Sequence, residues 1–94
     1  MTIPDAQFAA MCREQRLPGF LNLRKLLPSD TAAAKALRAE TAFVSTSEYR
    51  ALHAPQTEDF ALQVRTYLIA HELEWNFENL LAASKHVLSA EKEA

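Results

Sequence analysis

Apolar residues recur along this chain at helical rather than strand spacing. Phe8, Met11, Cys12 and Gln15 fall on one face, which predicts a helix over about Pro4 to Arg16. Pro4 and Asp5 suit its first turn: proline needs no amide partner there, and a carboxylate meets the positive end of the helix dipole. Leu17–Pro18–Gly19 reads as its stop. Phe20, Leu23 and Leu27 predict a short second helix over residues 20–27, a better fit than a strand, with Pro28 closing it. Ser29 and Asp30 can cap a third helix running to about Phe43, with Ala33, Ala36, Leu37 and Phe43 inward. Alanines there let another helix approach closely.

Ser45 and Glu48 have capping-box spacing, and Val44 and Tyr49 flank them as a hydrophobic staple would. This predicts a helix from Ser45 to just before Pro55, with Ser45→Ala costing about 1 kcal/mol. Thr57, followed by Glu58 and Asp59, caps the final segment, whose pattern runs to about Ala90 without proline or glycine. As one straight helix it would measure ~50 Å, against a diameter of roughly 30–35 Å for a compact domain of this length. It therefore breaks, near Asn76 or Asn79, or projects toward a partner. Phe60, Val64, Tyr67, Leu68 and Trp75 line one flank of this segment. Leu62, Ile69, Leu73, Phe77, Leu80, Leu81 and Val87 line the opposite one. A helix that is apolar on two sides must be covered on two sides.

These elements define an all-α fold: a compact bundle of four to five helices in a single domain over residues 1–94, with a long C-terminal helix kinked near Asn76. Composition agrees. Strong helix formers dominate, glycine occurs once, and no hairpin dipeptide is present. The formal charge of −2 gives no general reason to seek nucleic acid or anionic membrane. Its distribution is uneven: Arg13, Arg16, Arg24, Lys25, Lys35 and Arg38 make the first half basic, and glutamates make the second half acidic. Cys12 is the single cysteine, so no internal disulfide can form. The first residues do not read as a secretory leader, and the apolar run near Tyr67–Ala70 is too short to span a bilayer. The expected location is cytoplasmic, without membrane association.

Candidate chemistry is sparse. His71, Glu74 and Glu78 share a face if the last segment is one helix, but their order reverses that of carboxylate-bridged bundle sites, so a solvated edge is expected rather than a metal site. His53 and His86 suit helix C-terminal positions. Cys12 on an apolar face is a packing group. No nucleophile elbow or phosphate-cradling glycine loop occurs. No catalytic residue, metal or cofactor is expected, and the chain is read as a non-enzyme.

Ala42–Phe43–Val44–Ser45–Thr46–Ser47–Glu48–Tyr49 resembles the turn and recognition-helix start of helix-turn-helix regulators of the arabinose-regulator type. The resemblance implies a DNA-binding regulator using the helix 46–54. Arg50 is that helix's one cation, and Glu48 would meet phosphates unfavourably. The reading preferred from sequence is therefore a small protein-binding regulator, adaptor or inhibitor. It would act through a helical apolar surface, on a protein partner or on itself as a homodimer. Tyr67, Trp75 and Phe77 are its expected partner-binding residues, because large aromatics dominate interface energetics.

Overall fold

A computed structural model describes residues 3–93, and the chain is all-α. Among the described residues six helices follow in order: α1 (Asp5–Glu14), α2 (Pro18–Leu26), α3 (Asp30–Val44), α4 (Ser47–Leu52), α5 (Glu58–Ala70) and α6 (Phe77–Glu93). No strand occurs among the described residues, and no helix there is long and apolar enough to cross a membrane. The contacts group into two units whose boundary falls within α3, one running through Ala39 and the other starting at Glu40.

In the first unit, α1 packs on α2. Ala9 and Cys12 of α1, Phe20 and Leu23 of α2, and Ala33, Ala34 and Ala36 of α3 are buried. Met11 and Gln15, expected inward, are exposed: the inner face of α1 is centred on Ala9 and Cys12. Burial raises the Cys12 thiol pKa, partly opposed by the Arg38 charge, which suits a packing group. Arg24 and Arg13 both pair with Asp30, and Arg38 pairs with Asp5 at 3.2 Å while lying 4.5 Å over the Phe8 ring.

The stop of α1 differs from the expected Leu17–Pro18–Gly19. Arg16 takes a left-handed conformation (φ 52°), with Leu17 N donating to Cys12 O and Arg16 N to Arg13 O. This is a Schellman ending with arginine where glycine is usual. Pro18 instead opens α2, where its missing N–H is harmless. Gly19 serves close packing within α2: a Cβ there would lie 3.3 Å from Leu37 Cδ1.

In the second unit, α5 and α4 each pack on α6. The Ser45–Glu48 box does not form. Helix α3 runs one residue further than expected, so Ser45 remains on its last turn and its Oγ donates to Thr41 O. The cap of α4 moves to Thr46, whose Oγ1 accepts from Tyr49 N at 3.2 Å. Thr57 caps α5 as predicted, accepting from Phe60 N at 3.2 Å. The C-terminal segment is two helices, making six among the described residues rather than four to five. The break expected near Asn76 or Asn79 is a connection over residues 71–76, which turns four residues before Asn76, at Glu72, and ends at Asn76. Glu72, at φ 53°, ends α5 in a second Schellman arrangement, with Leu73 N donating to Leu68 O and Glu72 N to Ile69 O. Asn76 Oδ1 then accepts from Asn79 N at 2.8 Å and starts α6. The break lets both helices turn an apolar face inward: Phe60, Val64 and Leu68 from α5, and Leu80, Ala83 and Val87 from α6. Leu62 and Ile69 stay exposed on α5.

Candidate binding site

Arg65 sits among Phe60, Val64 and Leu68 on the buried face of α5, with its side chain only 10% exposed. A guanidinium there needs a partner, because an unpaired buried charge is strongly unfavourable. Glu40 of α3 supplies it. Arg65 Nε donates to Glu40 Oε2 at 3.0 Å and Nη2 to Oε1 at 2.8 Å. The Trp75 indole Nε1 donates to the same Oε2 at 3.0 Å. Hydrogen bonding to Glu40 raises the Arg65 pKa, against the opposing effect of burial. One carboxylate thus binds α3, α5 and the α5–α6 connection together.

Both members of this ion pair line an apolar groove. The groove's inner pocket, about 80 Å³, is walled by Phe43, Val44, Tyr49, Phe60, Ala61, Val64 and Leu80, with Ser84 beside them. An outer cleft of about 530 Å³ shares Val44, Tyr49, Phe60 and Ala61 and extends over Pro55, Gln56, Thr57 and Glu58. A third hollow, about 320 Å³, lies between Val44, Tyr49, Arg50, His53 and Gln56. Val44 and Tyr49 belong to all three. Val44 is 47% exposed, an open β-branched residue at the lip of a concave apolar surface.

Two of the three aromatics expected at an interface connect to this groove from behind. Phe77 stands edge-on to Phe43 (centroids 5.9 Å), and Phe43 stands edge-on to Tyr49 (5.1 Å). Phe77 itself is 39% exposed. Trp75 is half-buried and reaches the groove through Glu40. Tyr67 lines none of the three hollows and packs instead against His71 (4.4 Å) and His86 (4.7 Å).

Val44, Tyr49 and Phe60 figured in the sequence only as a staple and a core position. Nothing local marks them as a shared surface. Arg65 was the available signal: a cation three residues before Leu68, at the edge of the Phe60–Val64–Leu68 stripe, needs a carboxylate partner if that edge is buried.

His71, Glu74 and Glu78 do not share a face. The break leaves His71 at the end of α5, Glu74 in the connection and Glu78 in the first turn of α6. Among the described residues, no three of His, Cys, Asp and Glu converge as metal ligands would. The helix expected over 46–54 spans only Ser47–Leu52, because His53 turns left-handed at φ 52°. Six residues rise ~9 Å, a short probe for a major groove, and Arg50 is the single cation on it. No family model, curated protein or solved structure matches the chain.

Proposed function

We propose that this chain is a small protein-binding module, a regulator, adaptor or inhibitor that acts by surface occupation rather than catalysis. Its docking site is the groove centred on Val44, Tyr49, Phe60 and Ala61. The observation that carries this reading is a concave apolar surface with a half-exposed valine on it and a hydrogen-bonded ion pair in its lining. Pockets that accept apolar anchor residues have this composition, with few polar groups at fixed positions. The partner element that fits is the apolar face of a helix, which offers side chains at i and i+4 to such grooves. Of the residues expected from sequence, Phe77 extends the aromatic wall and Trp75 holds its acidic anchor, while Tyr67 lies apart.

A synthetic alanine-based peptide helix carrying leucines at i and i+4 and lysine at i+8 tests this. Trp75 is the only tryptophan, and its indole is bonded to a groove residue, so its emission reports occupancy. Binding is expected to change that emission saturably. Val44→Glu should weaken it by roughly tenfold or more, since a carboxylate would have to enter apolar contact, whereas Tyr67→Ala should leave it unchanged. Equal affinity in wild type and Val44→Glu would overturn the assignment.

A further inference from the structure

The groove's chemistry selects an occupant, and that chemistry is present on the chain itself. Leu17, the N-cap of α2, and Leu21 and Lys25 on α2 follow one another at four-residue spacing and are all exposed. The two leucines are 38% and 39% accessible, while Phe20 and Leu23 on the other side of α2 are fully buried. This short helix thus serves its own core with one face and presents an apolar row ending in a cation with another. The outer cleft of the groove includes Glu58, next to the exposed Asp59. Charge runs the same way over whole units: six cations against three carboxylates through Ala39, and four against nine from Glu40 onward.

We propose that the groove's occupant is a second copy of this chain, docked through the Leu17–Leu21–Lys25 row of α2. A leucine enters the inner pocket, and Lys25 lies toward the Glu58–Asp59 end. The inference rests on the groove being a helix-docking site. The two surfaces differ, so the contact is heterologous, and each copy carries both halves. Opposite charge on the two halves favours encounter and makes it sensitive to salt.

The test is light scattering after size exclusion, with sedimentation velocity, on the full chain at low and high salt. Wild type should exceed the monomer mass, with weaker association at high salt. Leu21→Lys and Val44→Glu should each be monomeric with unchanged far-ultraviolet circular dichroism, and Leu17→Lys replaces the first should it fail to fold. Mixing Leu21→Lys with Val44→Glu should restore association, because the first retains the groove and the second retains the α2 row. Association of wild type without recovery in the mixture overturns the α2 contact. A monomeric wild type that still binds the leucine–lysine peptide overturns self-docking and leaves the groove standing. A monomeric wild type that also fails to bind the peptide overturns both.

Discussion

Removing the Glu40 carboxylate should destabilise this protein more than any surface change. In Glu40→Ala, the Arg65 guanidinium loses both hydrogen bonds and its counter-charge, and the Trp75 indole loses its acceptor. Breaking one partner of a buried pair costs roughly 3–5 kcal/mol. The Glu40 side chain is 19% exposed, so some water can reach the orphaned cation, and the lower end, about 3 kcal/mol, is expected. Total stability for a chain of this length is about 5–14 kcal/mol, and the melting temperature should fall by roughly 12–24 °C. Urea titration followed by circular dichroism and Trp75 emission measures the loss. The double variant Glu40→Leu/Arg65→Met replaces the pair with apolar groups of similar reach and leaves only the indole N–H wanting. It should recover to within about 1–2 kcal/mol of wild type. A loss below about 1 kcal/mol in Glu40→Ala, or a double variant no more stable than the single one, would refute the argument.

Three other outcomes follow from the local geometry. Thr46→Ala should cost about 1–2 kcal/mol in thermal or urea unfolding, whereas Ser45→Ala should cost under about 0.5, because Thr46 carries the cap of α4. Glu72→Gly should stabilise by about 1 kcal/mol, relieving a left-handed residue and removing a carboxylate from the negative end of α5; Arg16→Gly should gain less, because its cation suits that end of α1. Desolvation pushes the Asp30 carboxyl pKa up, but Arg24 and Arg13 more than reverse it, so the folded value lies below the ordinary one. The stability this supplies is fully present above the unfolded pKa of about 4 and is lost as pH falls through the folded value. Melting curves of Asp30→Asn should lose that part of the acid-limb slope, and an unchanged slope would contradict it.

The helices were legible because their apolar spacing is local. The cap at Thr57 was legible because threonine offers an oxygen at the right place, whereas Asn76 was marked only as a point where one long helix could break, not as the cap of a new one. The ends of α1, α4 and α5 were not legible. Arg16, His53 and Glu72 take up left-handed geometry that glycine normally marks, and the chain's one glycine is used instead for the approach of α2 to Leu37. Missing the turn at Glu72 made α5 and α6 look like one helix with two greasy flanks, and gave His71, Glu74 and Glu78 a common face they do not have. The Glu40–Arg65–Trp75 group joins residues 25 and 35 positions apart, so only packing brings it together. The groove was hidden for the same reason: it is assembled from the end of α3, α4, α5 and the first turns of α6.

The groove exists because its neighbours are too small to close it. Helix α4 has six residues and buries none of them, and Pro55 keeps the chain after it from adding another turn. Ala61 presents a methyl group where a larger side chain would fill the inner pocket. Were those ~80 Å³ a closed packing defect, they would represent a loss of about 2 kcal/mol. That is a substantial share of a small domain's stability. An apolar cavity of about 150 Å³ accommodates benzene, so half that volume suits a single branched aliphatic side chain. Phe43 and Tyr49, held edge-on and backed by Phe77, keep the wall from collapsing inward. A leucine supplied by another surface would recover contacts the fold leaves unmade. The proposed binding energy and the stability missing from this corner are then two measures of the same unmade packing.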